Sequence, residues 1–164
     1  MADNPQTQPP RSILFVCTGN TCRSPLAQAV CKRLLADRLG CEPAELPGRG
    51  WVVESAGLAA WPGDAASPPA VDVANELGED LSGHRSRPVN PDLLERATAV
   101  VAMTRSHADV LSMRFPGVGP PPVLLCGPDA DLDDPIGGDV ELYRACAAVI
   151  RASLERHLTE WLGQ

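Results

Sequence analysis

Four short apolar runs punctuate the chain, and between them apolar residues return every three or four positions. The first run, Ile13-Leu14-Phe15-Val16, shows no alternation, which suits a strand buried on both faces, as in a parallel sheet. Gly19-Asn20 breaks that pattern. Ser24-Pro25 reads as an N-cap and first helical position. Ala27, Val30, Cys31 and Leu34 follow at helical spacing, and Gly40 supplies a stop. Trp51-Val52-Val53-Glu54-Ser55, closed by Gly57, predicts a second strand. Residues 68–77, with Ser67 as cap and Gly78 beyond, predict a second helix. Ala99-Val100-Val101-Ala102-Met103 predicts a third strand, residues 105–115 a helix, and Val123-Leu124-Leu125-Cys126 a fourth strand. Val140, Tyr143, Ala147, Ile150, Leu154, Leu158 and Trp161 form one apolar stripe along a C-terminal helix capped by Asp139. Residues 41–50, with two Gly and two Pro, read as a loop.

Strands alternating with helices define an α/β fold class. A four-stranded parallel sheet is expected, joined by right-handed crossovers and covered by helices on both faces. Residues 1–11 are mostly polar with nothing to bury and read as a disordered N-terminal tail. Residues 12–164 are expected to form a single domain, since a chain of 164 residues supports about one core.

Charge narrows the classes of partner. Fourteen Lys and Arg stand against 21 Asp and Glu, a net charge of −7, which speaks against nucleic acid and anionic membrane as partners. No apolar run approaches the ~18 residues of a membrane span. The polar start does not resemble a secretory leader. Six cysteines could suggest a disulfide scaffold, but a chain this long does not need one. A reduced, cytoplasmic protein is expected, its thiols serving chemistry or packing.

Chemistry gathers in Cys17-Thr18-Gly19-Asn20-Thr21-Cys22-Arg23-Ser24, between the first strand and the first helix. Parallel sheets place ligands at the carboxyl ends of their strands. Successive backbone N–H groups of such a loop can form an anion nest, and the following helix adds the positive end of its dipole. Arg23 can hold two phosphate oxygens at once. The same field favours a thiolate at Cys17, a nucleophile facing any bound phosphoryl group. Gly19 lets the backbone turn without a Cβ clash.

This stretch resembles the signature of the low-molecular-weight protein phosphatases, a strand followed by Cys, a loop with Gly-Asn, and Cys-Arg-Ser-Pro. The resemblance continues through Glu54-Ser55-Ala56-Gly57, Ser82-Gly83-His84-Arg85-Ser86, Ala102-Met103-Thr104 and Asp134-Pro135-Ile136-Gly137-Gly138, and covers the chain from about Ser12 to the end. It implies that residues 12–164 are one phosphatase domain, with Cys17 as nucleophile, Arg23 binding the phosphoryl group and Asp134 as general acid. It also implies that Thr18, Gly19, Asn20, Thr21, Cys22 and Ser24 shape the phosphate-binding loop after the first strand, and that Ser55 and His84 support it. Ser24 has two readings, helix cap and hydroxyl donor to Cys17. Asp134 is preferred to its neighbour Asp133 because Pro135 and Gly137-Gly138 form a turn that can aim a side chain. Residues 129–141 hold six acids and no Lys or Arg; such clustering raises carboxyl pKa values, while Asp129 and Asp131 read as solvated loop residues. Cys22 and Cys17 could form a protective reversible disulfide, as the resemblance implies. Cys31, Cys126 and Cys146 read as small hydrophobes in element interiors, and Cys41 has no assigned role.

Within the family, tyrosine phosphatases usually carry Ile before the second cysteine. Thr21 stands there in this chain and resembles the protein-arginine phosphatases. A threonine hydroxyl can lie beside a planar, polar guanidinium that an Ile side chain would desolvate without a partner. Phosphoarginine in protein substrates is therefore the expected target, with phosphotyrosine as the alternative. Ile136 departs from the aromatic residue usual after Asp-Pro, and Trp61 reads equally as a pocket wall or as a partly buried loop residue. A thiol-dependent arsenate reductase would need relay cysteines, and none lies between Cys41 and Cys126. A catalytically dead phosphoresidue-binding module would be expected to have lost the nucleophile or the acid. No cofactor or metal is expected, because His84, His107 and His157 form no ligand-spaced cluster with cysteine. A monomer is expected.

Overall fold

The structure is a computed structural model that describes residues 9–163. Residues 1–8 of the expected tail lie outside the described residues, and the tail's predicted end at residue 11 moves back. Arg11 opens the first strand, its N–H bonded to Gly50 O at 2.8 Å and its guanidinium 5.1 Å from the Trp51 ring.

Four strands form one parallel sheet in the order β2-β1-β3-β4: β1 (Arg11–Cys17), β2 (Trp51–Gly57), β3 (Ala99–Ala102) and β4 (Val123–Leu124). The helices are α1 (Arg23–Leu39), α2 (Pro68–Glu76), α3 (Pro91–Arg96), α4 (Arg105–Arg114) and α5 (Val140–Leu162). Successive residues of β1 serve opposite cores. Ile13, Phe15 and Cys17 join one with α1, α2 and α5; Leu14 and Val16 join the other with Leu93, Leu94 and Leu111 of α3 and α4. This is why the first run carries no polar alternation. Both faces of the sheet are covered, as the pattern predicts. The apolar stripe of α5 buries Tyr143, Ala147, Ile150, Leu154 and Leu158.

Several boundaries differ from expectation. Helix α1 starts at Arg23, so Ser24 lies inside it and makes no cap. Pro25 is tolerated at the third position because the first four N–H groups of a helix have no intrahelical partner. Gly40 ends α1 in the left-handed region at φ 68°, as expected of a C-terminal stop. The loop at residues 41–50 contains two 3₁₀ turns, Pro43–Glu45 and Pro47–Arg49. Strand β4 is only two residues long, which leaves Cys126 in a turn and half-buried rather than inside a strand. Helix α3, capped by Asn90 Oδ1 on Leu93 N–H at 2.9 Å, was not foreseen; six residues are too few to show a helical period. No described helix is long and apolar enough to cross a membrane.

Candidate active site

In this strand order the chain leaves β1 for one neighbour and later returns to the other, so a crevice opens at the carboxyl end of β1. Cys17 is the last residue of β1, and the loop that follows it fills that crevice. Loops from the ends of β2 and β3 are fastened around it. Leu58 N–H donates to Cys17 O and Ala59 N–H to Thr18 O, both at 2.9 Å, and Met103 N–H donates to Val16 O at 3.1 Å.

The loop holds its shape through Asn20, which is fully buried and takes φ 57°. Asn tolerates this left-handed backbone better than most residues. Its backbone N–H lies 3.3 Å from Cys17 Sγ. Its Nδ2 donates to Ser24 Oγ and to Ser55 Oγ, each at 2.9 Å, and its Oδ1 accepts from Arg87 N–H at 3.0 Å. Its carbonyl lies 2.8 Å from His84 Nε2, and since a carbonyl only accepts, His84 donates. Burial holds the His84 pKa below its ordinary value, against the opposing pull of that carbonyl.

Two branches leave the Asn20 amide. Ser55 Oγ donates to Gln28 Oε1 at 2.7 Å, and Ser24 Oγ lies 2.9 Å from Cys17 Sγ. Because Ser24 Oγ accepts from Asn20, its own hydrogen is free for Cys17. Of the two readings of Ser24, the helix cap fails, while the hydroxyl is placed within reach of Cys17. Local capping rules yield here to a tertiary partner, which sequence spacing cannot show.

Arg23 is buried, with one terminal nitrogen donating to Leu132 O at 3.0 Å and the other 3.4 Å from Asp134 Oδ2. The acidic segment thus reaches the loop from 111 residues away. Asp134 side-chain exposure is 44%, so the carboxylate stands between arginine and solvent. Its Oδ1 accepts from Ile136 N–H at 3.1 Å, the turn that aims it. Asp133 is exposed and makes no such contact among the described residues. Asp131 is more than a solvated loop residue: its Oδ1 accepts from Arg105 N–H at 2.8 Å, at the start of α4. Asp139 caps α5 through Leu142 N–H at 3.0 Å, as its position predicts.

Thr21 is half-buried beside Cys22, its Oγ1 3.7 Å from Cys22 Sγ. Cys17 and Cys22 are both free thiols in this structure. Trp61 is 76% exposed and Ile136 68%, so Trp61 is not a partly buried residue. Its loop is tied back by Ser86, whose N–H donates to Asp64 O at 2.8 Å.

Two residues of this neighbourhood escaped the sequence reading. Tyr143, the chain's single tyrosine, was counted only as part of an apolar stripe. It is buried on α5, accepts from Ser67 Oγ and donates to Cys22 Sγ, each at 3.2 Å. Burial, then the neighbouring Cys22, push its phenol up to about 12, so it stays a donor. His107 was named only as one of three histidines that form no metal-ligand cluster with cysteine. It lies 2.8 Å from Thr18 Oγ1. Its place just past the end of the third strand, where ligands gather, is the one signal that could have flagged it. Among the described residues no group of three or more His, Cys, Asp or Glu side chains could hold a metal ion.

Residues 12–163 match the family model described as low molecular weight phosphotyrosine protein phosphatase. The chain is 39% identical over 151 residues to a protein-arginine-phosphatase of Geobacillus stearothermophilus, covering 90% of this chain and 93% of that one. It is similar to the crystal structure of a low molecular weight protein tyrosine phosphatase from T. tengcongensis, with TM-score 0.79, 32% identity, and coverage of 92% and 99%. An arsenate reductase of Bacillus licheniformis is 34% identical over 108 residues, 66% of this chain and 67% of its own length.

Proposed function

The chain belongs to the low molecular weight phosphotyrosine protein phosphatase family, and from that premise we propose that it removes the phosphoryl group from phosphoarginine in proteins through a phosphocysteine intermediate. The observation that carries the chemistry is the meeting of three groups. Cys17 Sγ sits under Asn20 N–H and Ser24 Oγ, Arg23 closes the loop, and Asp134 stands 3.4 Å from that arginine. Cys17 attacks phosphorus in line. Arg23 and the loop N–H groups of residues 18–23 take the charge of the equatorial oxygens, where positioning and electrostatics supply most of the rate. Asp134 gives its proton to the departing guanidine nitrogen, then takes one from the water that releases phosphate from sulfur. Ser55 and His84 act at one remove, by holding Asn20.

Thr21 supports arginine as the substrate residue. It is half-buried in the loop, and its hydroxyl can accept from a guanidinium N–H where an Ile could not. The similarity to a protein-arginine-phosphatase over most of both chains points the same way. Phosphotyrosine is the second reading, favoured by the likeness to a tyrosine phosphatase structure. A reducing compartment such as the cytoplasm suits a thiol nucleophile among six unpaired cysteines.

The deciding experiment compares kcat/KM on phosphoarginine and phosphotyrosine peptides, for the wild type and for Thr21→Ile. A wild-type preference for phosphoarginine that moves towards phosphotyrosine in the variant is expected. A wild type that prefers phosphotyrosine would overturn the arginine assignment. Cys17→Ser should abolish turnover of either substrate while keeping phosphate binding, and residual turnover near wild type would remove the nucleophile.

A further inference from the structure

His107 lies in the first turn of α4, where its backbone N–H is capped by Thr104 Oγ1 at 3.1 Å. Its side chain is buried, and Nε2 lies 2.8 Å from the hydroxyl of Thr18, the residue after the nucleophile. Its second nitrogen, Nδ1, is sealed from solvent and has no hydrogen-bond partner among the described residues. A neutral imidazole carries one proton, and the two nitrogens compete for it. On Nδ1 it would be an unpaired buried donor, and orphaned buried N–H groups are rarer than under-used acceptors. The proton therefore sits on Nε2, and Thr18 Oγ1 accepts it.

That direction has a consequence for the loop. A hydroxyl owns one hydrogen. With His107 filling a lone pair of Thr18 Oγ1, that hydrogen is left to point elsewhere. Thr18 is exposed, and its carbonyl is pinned by Ala59 N–H at 2.9 Å, so its place beside Cys17 is fixed. An anion cradle works when it presents donors only; a hydroxyl that turned a lone pair towards a phosphoryl oxygen would repel it.

We propose that His107 is a positioning residue which, through Nε2–H, makes the Thr18 hydroxyl a one-way donor to a phosphoryl oxygen held over Cys17. The charged groups that act on the imidazole are Arg23, Asp131 and Asp134. Burial first, then Arg23, lower its pKa to about 4 against the two carboxylates. The ring therefore stays neutral, and the donation keeps its direction at neutral pH.

The inference rests on the reading of residues 17–24 as a phosphoryl cradle, and the test separates the two. Inorganic phosphate is titrated by calorimetry into the wild type, Thr18→Val, His107→Phe, His107→Gln and the Thr18→Val/His107→Phe double variant. Thr18→Val and His107→Phe are each expected to weaken binding about tenfold, the loss of about one hydrogen bond. The double variant is expected to bind no worse than Thr18→Val, because His107 acts through that hydroxyl. The Gln amide can donate from roughly the place of Nε2, so His107→Gln should stay close to wild type. A merely structural His107 would weaken the double variant by the product of the two single losses, and that result would overturn the proposal. So would wild-type affinity in Thr18→Val, or a His107→Gln as weak as His107→Phe. A wild type that binds no phosphate would instead remove the cradle itself, and this inference with it.

Discussion

Asn20 takes a left-handed backbone at φ 57° with every polar group engaged: N–H on Cys17, carbonyl on His84, Oδ1 on Arg87, and Nδ2 on both Ser24 and Ser55. Asn20→Ala would keep the strained backbone without the side chain that compensates for it, and would leave buried partners unpaired. A stability loss of about 2–4 kcal/mol is expected in urea unfolding, since each unsatisfied buried group costs ~1–3 kcal/mol. A loss below about 1 kcal/mol would mean that water replaces the amide. Asp134→Asn tests a different property. It should slow turnover most for substrates with poor leaving groups, while Asp133→Asn changes little, because only Asp134 reaches Arg23. Equal losses for the two variants would undo the assignment of the acid. The sequence placed both aspartates in one acidic window and favoured Asp134 from its turn chemistry. Contact with Arg23 depends on residues 111 apart in sequence, which no local pattern encodes.

At the scale of elements, the end of β2 sets how closely the phosphate loop can pack. A Cβ on Gly57 would fall 2.5 Å from Thr18 O and 3.0 Å from Asn20 N. Both are backbone atoms of the loop, so neither can swing aside as a side chain would. Gly57 also receives the segment after His84, its N–H on Arg87 O at 2.9 Å and its carbonyl on Val89 N–H at 3.0 Å. Gly57→Ala should therefore displace residues 18–20 and cut kcat/KM at least tenfold, with the steepest fall in phosphate affinity. Parallel measurements of phosphate binding and activity would check this, and an unaltered phosphate affinity would refute it. The sequence marked Gly57 as a strand terminator and as part of a segment shared with the family, with no packing role. Its larger role follows from the parallel register that sets Cys17 opposite Gly57. Runs and stripes showed which segments become strands and helices because burial on two faces, or on one, leaves its period in the sequence. The start of α1 was displaced by one signal read in isolation: Ser24 has the composition of a cap but is engaged by Asn20 and Cys17.

Across the whole molecule, the site draws groups from residue 17 to residue 143, so its electrostatics and the stability of the fold are coupled. Tyr143 and His107 were invisible as site residues because their partners, Cys22 and Thr18, lie 121 and 89 positions away. Their neighbours in sequence say helix and nothing more. The same packing holds two histidines neutral. Burial lowers the pKa of His84 from 6.5, and that of His107 from 6.5 to about 4. Between those values the unfolded chain binds protons that the folded chain refuses. Their contribution to stability is therefore complete above pH 6.5 and is lost as pH falls towards the folded values, by at most about 1.4 kcal/mol per pH unit for each histidine. Glu79 acts with the opposite sign. Burial raises its pKa above 4.5, so its effect grows as pH falls. Urea unfolding at about pH 7.5, 6.5 and 5.5 should show stability falling with pH before most carboxylates titrate. His107→Gln, which keeps the donor but cannot take up a proton, should remove its share of the slope while leaving stability at pH 7.5 nearly unchanged. An identical slope in that variant would show that His107 is not held neutral by the fold, and the fixed direction of its bond to Thr18 would lose its support.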